Sequence, residues 1–258
     1  MYPILFSFGS LNVRSNAVFF ILGCLAAIWV GRQEAKRLAA EKHVAYNKKR
    51  TILFIIFFIP FVYLIGMFNA WLFHLNSFLQ SPSLQRFLFS GWISYGAIIG
   101  ALLFGLIYPK INKNTSIDVL DIIMLILPLF EAIYRIGCLL NGCCSGKETH
   151  GFWGIYLPNS SGTWIMRYPT QILYIVLGFG LFTLLWLTRK NKRYEGEVAV
   201  RYLIMYGLGR FLIDGMRVNL VDLGWISLHQ AAGLGLFIIG LSTWLVMYFK
   251  KKNGKKIR

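Results

Sequence analysis

Apolar segments recur along the whole chain and are separated by short polar stretches. Seven of them approach the roughly 20 residues that a helix needs to cross the hydrocarbon of a bilayer. They cover residues 16–31, 51–73, 90–108, 118–138, 170–188, 197–214 and 229–249. No polar stretch between them is long enough for a soluble domain. The pattern predicts an all-α polytopic membrane protein with seven transmembrane helices, organised as a single transmembrane domain over residues 1–258.

The distribution of basic residues indicates how these helices are oriented. Of the 27 Lys and Arg residues, 19 fall in the four regions 32–50, 109–117, 189–196 and 250–258. The alternate regions 1–15, 74–89, 139–169 and 215–228 hold only five. Because cytoplasmic loops carry the excess of Lys and Arg, we expect the N-terminus outside and the C-terminus in the cytoplasm. The region at about 139–169 is then an extracytoplasmic loop.

The composition supports a membrane location and argues against nucleic acid as a partner. Only 14% of the residues are charged, against about 25% in soluble domains. The net charge of +17 would suggest nucleic acid if it formed a single patch. It is instead divided among alternate loops, where it acts as a topology determinant, and we expect no nucleic-acid partner.

Several polar residues fall at one depth under this topology. Tyr95 lies near the outer end of the third segment, Arg135 near that of the fourth, and Arg210 and Asp214 near that of the sixth; Arg217 follows directly. An arginine at mid-bilayer costs about 2.5–3.5 kcal/mol on insertion scales, and intramembrane charges usually mark a functional site. The convergence predicts a site for an anionic lipid headgroup at the outer leaflet.

Two carboxylates stand one helical turn from these arginines. Glu131 precedes Arg135 by four residues, and Arg210 precedes Asp214 by four, so each pair can interact on one helix face. One interpretation is that the pairs only neutralise buried charge. The other is that the carboxylates orient the guanidinium groups, whose paired N–H donors suit a phosphate.

The loop that follows Arg135 is rich in glycine and cysteine. Gly142 and Gly146 permit positive φ and a close approach of the backbone to a ligand. Asn141 can both donate and accept hydrogen bonds. An ordinary helix-terminating turn would explain the glycines equally well.

The cysteines of this region leave several interpretations open. Cys138, Cys143, Cys144 and His150 offer four zinc ligands, but their spacing matches no familiar zinc motif, and we expect no metal. A disulfide is compatible with an extracytoplasmic location. A nucleophilic thiolate favoured by the nearby basic residues is a third interpretation.

Motifs in several parts of the chain resemble those of the bacterial prolipoprotein diacylglyceryl transferase family, in the same order. The segment Tyr2-Pro3-Ile4-Leu5-Phe6-Ser7-Phe8-Gly9 is similar to the short outer segment that precedes the family's first helix. The other matching stretches are Tyr95-Gly96-Ala97-Ile98-Ile99-Gly100; Arg135-Ile136-Gly137 with Asn141-Gly142 and Gly146; Arg167-Tyr168-Pro169-Thr170-Gln171 with Tyr174; and Tyr206-Gly207, Arg210-Phe211, Asp214 and Arg217.

The resemblance implies an activity and a set of site residues. Members of the family transfer a diacylglyceryl group from phosphatidylglycerol to a cysteine thiol of a prolipoprotein, at the bacterial cytoplasmic membrane and without a cofactor. The implied catalytic residues are Arg135, Arg210, Tyr95 and Asn141. The implied substrate-binding residues are Gly96, Gly142, Gly146, Asp214, Arg217, Cys143, Tyr168 and Gln171.

The chain departs from the family pattern on the thiol-handling side. Tyr95 stands in place of the family histidine, Cys138 in place of an asparagine and Cys143 in place of a glutamate. Tyr168 replaces a second histidine, and Asp214 shortens a glutamate. These departures are typical of a divergent member or a paralogue. The alternatives are a transferase with another acceptor, one that acts through its own cysteines, or a non-catalytic membrane protein that binds lipid or peptide.

Overall fold

The computed structural model describes residues 2–8, 11–43, 48–73, 94–111, 118–158, 162–218 and 225–252. Within these residues the helices are α1 (Ser15–Glu41), α2 (Lys48–Phe73), α3 (Ser94–Ile111), α4 (Asp118–Asn141), α5 (Thr170–Thr188), α6 (Glu197–Gly215) and α7 (Leu228–Lys252). Two antiparallel hairpins accompany them, β1 (Ile4–Phe8) with β2 (Leu11–Arg14) and β3 (Ile155–Pro158) with β4 (Trp164–Arg167).

The mostly helical fold expected from the apolar pattern is confirmed. Four of the described helices, α1, α4, α5 and α7, are long and apolar enough to cross a membrane. Shorter apolar stretches lie within α2 and α3. The chain is therefore a multi-pass membrane protein.

Helix α1 continues about ten residues beyond its predicted end. The apolar segment stops near residue 31, but the helix extends through the basic stretch to Glu41. This stretch is rich in strong helix formers such as Ala, Glu and Lys. Arg37 also pairs with Glu34 at 2.6 Å and with Glu41 at 2.5 Å, one turn away on either side. Local propensity and i,i+3 and i,i+4 ion pairs thus carry the helix past its apolar part.

The two hairpins were missing from the all-α prediction. Each strand is only four or five residues long, too short for an alternating pattern to stand out. In the second hairpin Tyr156 pairs with Met166 and Ile155 with Arg167. This register places Arg167 at the buried end of β4, directly before α5.

The chain divides into two compact units. One comprises Met1–Gly31 and Met124–Arg258, and the other comprises Arg32–Ile123. The first unit contains both hairpins and most of the predicted site residues, whereas α2 and α3 belong to the second. The single domain over the whole chain stays a prediction.

Glycines allow the helices of the first unit to approach closely. A Cβ atom added to Gly178 of α5 would lie 2.8 Å from both the Cβ of Ala132 and the carbonyl oxygen of Pro128 on α4. One added to Gly207 of α6 would lie 2.5 Å from the backbone nitrogen of Phe237 on α7. Small residues at such crossings are typical of helix packing in membranes.

The glycines of α5 provide a stability prediction. We expect Gly178→Ala to lower stability by about 1–3 kcal/mol because the added methyl overpacks the contact with α4. Gly180→Ala is the matched control, since nothing lies within 4 Å of the added atom and alanine is the better helix former. The apparent melting temperatures in detergent measure both effects. Equal melting temperatures for the two variants would contradict the close α4–α5 crossing.

Candidate active site

Helices α4 and α6 bring a group of charged side chains together in the interior of the first unit. The Nη2 atom of Arg135 lies 3.1 Å from Oε1 of Glu131. Arg210 Nε lies 3.2 Å from Oδ2 of Asp214, and its Nη1 lies 3.4 Å from the same Glu131 oxygen. Arg210 and Asp214 are both 0% exposed. Glu131 therefore bridges the two arginines across the helices, beyond the pairs within each helix that the spacing predicted.

Two tyrosines complete this group. The Tyr174 hydroxyl, on α5, donates a hydrogen bond of 2.6 Å to Asp214 Oδ1. Its ring centroid lies 4.2 Å from Cζ of Arg135 and 5.4 Å from Cζ of Arg210. The Tyr206 hydroxyl accepts a hydrogen bond from Arg210. The Tyr174 ring thus offers its π-face to guanidinium groups in a desolvated place, where such contacts are strongest.

Arg217 joins the charged group to the glycine- and cysteine-rich loop. Its Nη1 lies 3.6 Å from Asp214 Oδ1, and its Nη2 donates to Sγ of Cys144 at 3.4 Å. Its backbone forms an antiparallel bridge with Gly146. The loop is therefore attached to the end of α6 by both side chain and backbone.

The start of α5 holds the other side of the same loop. Gln171 Nε2 donates to the carbonyl oxygen of Cys143 at 3.0 Å, and Thr170 Oγ1 donates to that of Cys144 at 3.0 Å. Gly142 has a φ of 72° and Cys144 a φ of 60°. Residues other than glycine seldom adopt positive φ, so these hydrogen bonds stabilise an uncommon conformation at Cys144.

Gly146 occupies a position that no other residue fits. An added Cβ would lie 2.1 Å from the carbonyl oxygen of Tyr168. The neighbouring Lys147 carbonyl accepts a hydrogen bond of 3.1 Å from the Tyr168 nitrogen. The buried Arg167 donates to the Gly146 carbonyl at 3.3 Å. Close backbone approach, rather than helix termination alone, explains this glycine of the motif.

Among the side chains of this group that the structure describes, arginines outnumber carboxylates. Three guanidinium groups, of Arg135, Arg210 and Arg217, face the two carboxylates of Glu131 and Asp214. The buried Nε of Arg135 has no hydrogen-bond partner among the described residues. A group rich in guanidinium groups, with an unused buried donor, is suited to bind an anion.

Three cysteines lie beside the arginines. The Sγ atoms of Cys138, Cys143 and Cys144 are all within 4.8 Å of one another, and none is in a disulfide. Hydrogen bonds from Cys138 and Cys143 hold the pKa of the Cys144 thiol well below its ordinary value, and Arg135 and Arg217 act in the same direction. This positive surrounding favours the Cys144 thiolate.

The structure brings most of the predicted site residues together. Those that lie in this group or in its loop are Arg135, Asn141, Gly142, Cys143, Gly146, Tyr168, Gln171, Arg210, Asp214 and Arg217. Tyr95 and Gly96 belong to α3 in the second unit, and the Tyr95 side chain lies outside the described part of the structure. The roles predicted for these two residues stay predictions.

Other residues of the group were not among the predicted site residues. Glu131 had been considered only as a partner of Arg135, although a carboxylate in an apolar segment was itself a signal. Tyr174 and Tyr206 lie in the matching stretches, where tyrosine is easily taken for a packing residue. His229, in the first turn of α7, interacts electrostatically with Arg217, and nothing in its sequence surroundings marks it.

The Tyr174 hydroxyl provides a second stability prediction. We expect Tyr174→Phe to cost about 1.5–3 kcal/mol, because the substitution removes a buried hydrogen bond to a charged group and keeps the ring. Tyr156→Phe is the control, since this tyrosine is 61% exposed on β3. Thermal unfolding in detergent compares the two. A loss no larger than that of the control would argue against the buried Tyr174–Asp214 contact.

Comparison with known proteins identifies the family to which nearly the whole chain is similar. A family model described as prolipoprotein diacylglyceryl transferase matches residues 3–247. Relatives named phosphatidylglycerol–prolipoprotein diacylglyceryl transferase include one from Clostridioides difficile, 29% identical over 98% of each chain, and one from Clostridium tetani, 30% identical over 98% of this chain and 100% of the relative. A second enzyme of this name from Clostridium perfringens is 36% identical over 69% of this chain and 72% of its own. With nearly its whole length matched, the chain belongs to the prolipoprotein diacylglyceryl transferase family.

Proposed function

We propose that this protein transfers a diacylglyceryl group from phosphatidylglycerol to a cysteine thiol of a prolipoprotein. Family membership over nearly the whole chain supports this reaction. The single observation that carries it to particular residues is the buried arginine network, in which the Nε of Arg135 has no hydrogen-bond partner among the described residues. The anionic phosphodiester of phosphatidylglycerol offers acceptor oxygens to this donor.

The reaction requires charge stabilisation at the departing phosphate. The acceptor sulfur forms a bond to the terminal glyceryl carbon of the lipid, and the bond between that carbon and the phosphate oxygen breaks. Glycerol phosphate leaves with the electron pair, and the thiol proton is released. Because a phosphate diester becomes a monoester, negative charge grows at the phosphate during this step. Buried guanidinium donors of Arg135 and Arg210 stabilise such charge without having to reorganise.

The thiol side of the site is assigned through the resemblance. Tyr95 takes the place of the family histidine on that side, whereas Asn141 and Gly96 keep the residue types of the family pattern. An unperturbed tyrosine titrates near 10, which makes it a weak general base at neutral pH. We assign Tyr95 to positioning the acceptor, and the excess positive charge of the arginines to favouring its thiolate.

The remaining predicted site residues orient the arginines and fix the conformation of the loop backbone. Asp214 and Arg217 orient the arginine network, and Gln171 holds the loop through the Cys143 carbonyl. Gly142, Gly146 and Tyr168 set the course of the backbone beside the lipid headgroup.

We propose seven transmembrane spans in the bacterial cytoplasmic membrane, with the N-terminus outside and the C-terminus in the cytoplasm. The alternation of basic regions supports this orientation. Gly146 and Arg217, which follow the C-terminal ends of α4 and α6, form a backbone bridge, which favours the same direction for these two helices, as expected for spans separated by one other. The phosphate site then lies at the outer leaflet.

A direct assay tests the reaction. We expect purified, reduced protein in phosphatidylglycerol vesicles to convert a lipobox peptide to its thioether-linked diacylglyceryl form, detected by mass spectrometry. Phosphatidylcholine vesicles and a Cys→Ala peptide are the controls.

Arg135→Gln should lower the rate by about 100-fold or more, since one lost donor to a developing anion costs at least that much. Arg210→Ala removes the other buried guanidinium group and should abolish the lipidated peptide.

A matched variant separates loss of charge at the site from general damage. Arg201 lies on the same helix as Arg210 but pairs with Glu197 at 2.6 Å and with the carbonyl oxygen of Thr188 at 3.1 Å. Arg201→Gln should keep the rate within a few-fold of the unchanged protein. No lipidated peptide from the unchanged protein, with a related transferase active in parallel, would overturn the proposed reaction.

The orientation is tested with fusions to the C-terminus. Green fluorescent protein placed there should fluoresce, because it folds in the cytoplasm, and alkaline phosphatase should stay inactive, because it requires export. The same pair fused after Glu148, in the loop that follows α4, should give the opposite result. Active phosphatase at the C-terminus would contradict the proposed topology.

A further inference from the structure

The three sulfur atoms beside the arginine network form a ligand set of one chemical kind. Cys138 lies in the last turn of α4, and Cys143 and Cys144 lie in the loop that follows. Their Sγ atoms are all within 4.8 Å of one another, at partly or fully buried positions. Among the described residues, these cysteines are the one group of three or more side chains that could hold a metal ion together.

The loop is folded so that the sulfur atoms converge. The Gly142 nitrogen donates to the carbonyl oxygen of Leu139 at 3.2 Å, and the Cys143 nitrogen donates to that of Cys138 at 3.2 Å. These bonds turn the chain back over the end of α4. Positive φ at Gly142 and Cys144 completes the turn, and the hydrogen bonds from the start of α5 hold it. The convergence is thus fixed by backbone contacts and does not depend on a disulfide.

The geometry suits a metal ion bound by sulfur alone. With metal–sulfur bonds of about 2.3 Å, an ion at the centre of three thiolates holds the sulfur atoms about 4 Å apart. The observed spacing reaches this value with a shift of less than about 1 Å, which rotation about Cα–Cβ bonds supplies. Thiolates select soft cations such as Cu(I) and Zn(II). Structural zinc sites take four protein ligands, whereas Cu(I) is satisfied by three sulfur atoms.

The neighbouring arginines offset the charge of such a complex. Three thiolates and one Cu(I) ion carry two negative charges. Arg217 already donates a hydrogen bond to Cys144 Sγ at 3.4 Å, and Arg135 interacts electrostatically with Cys144 and Cys138. Hydrogen-bond donors to ligand atoms strengthen metal sites from outside the first coordination sphere. These guanidinium groups therefore lower the net negative charge around an anionic metal–thiolate group.

We infer that Cys138, Cys143 and Cys144 bind one Cu(I) ion in a three-coordinate thiolate site, with Arg217 as its hydrogen-bond donor. Binding releases the thiol protons and leaves the copper oxidation state unchanged. The assignment does not require transferase activity, since no lipid or peptide takes part in forming the site. It differs from the expectation of no metal drawn from the cysteine spacing alone.

Copper titration tests the site. Reduced protein in detergent, kept free of oxygen, is titrated with Cu(I) from its acetonitrile complex against a bathocuproine chelator as competitor. We expect one Cu(I) per chain. Cys138→Ser, Cys143→Ser and Cys144→Ser should each weaken binding by at least about 10-fold, and Arg217→Gln by about 10-fold. Cys24→Ser is the matched control, because this cysteine lies apart on α1, and it should leave the affinity unchanged.

Two further measurements keep the test decisive if a variant folds poorly. In the unchanged protein, Cu(I) should protect the partly exposed Cys143 and Cys144 together from maleimide, with the label on Cys24 unaffected, as mapped by peptide mass spectrometry. X-ray absorption should show three sulfur neighbours around copper. Unchanged labelling of Cys143 or Cys144, fewer than three sulfur neighbours around copper, equal weakening by Cys24→Ser, or preferential binding of Zn(II) would each overturn the inference.

The result is independent of the lipid reaction. A protein that binds Cu(I) through these cysteines but makes no lipidated peptide supports the metal site and overturns the proposed transfer. A protein that lipidates the peptide but fails the protection assay supports the proposed transfer and overturns the metal site.

Discussion

The buried position of Arg210 is the constraint on which the rest of the first unit depends. A guanidinium group with no solvent exposure must find its counter-charges inside the protein. Asp214 supplies one from the same helix, and Glu131 supplies the other from α4. Tyr174 then orients Asp214 from α5. One charge therefore specifies how three helices meet, and Arg135 and Arg217 join the network that it requires.

The sequence was most informative where a residue type conflicted with its surroundings. Arg135 and Arg210 stand out because charge in an apolar segment is costly, and the charge distribution of the loops predicted that they lie at one depth of the membrane. The spacing of residues in the sequence indicates only which side chains are neighbours on the same helix. It could therefore not predict that Glu131 contacts an arginine of another helix. The extension of α1 and the two short hairpins were missed for a related reason, because ion pairs and strands of four or five residues leave weak periodic signals.

The loop between α4 and α5 shows how one set of contacts serves two kinds of chemistry. Its backbone is held by Gln171 and Thr170 from one side and by Arg217 from the other. The same held backbone sets Gly146 against Tyr168 and directs three sulfur atoms toward one point. Hard phosphate oxygen and soft sulfur both gain from the neighbouring guanidinium groups. Arg217, which contacts both Asp214 and Cys144, connects the two.

Helix α6 is not among the described helices that are apolar enough to cross a membrane by themselves, yet it carries the most deeply buried charge of the network. Its counter-charge on Glu131 belongs to a helix that leaves the ribosome some eighty residues earlier. In the proposed topology, the Arg210–Glu131 contact therefore gives the order of synthesis a role. Helix α4 is already in the bilayer, with its carboxylate available, when α6 follows, and α6 is inserted as the partner of an earlier helix.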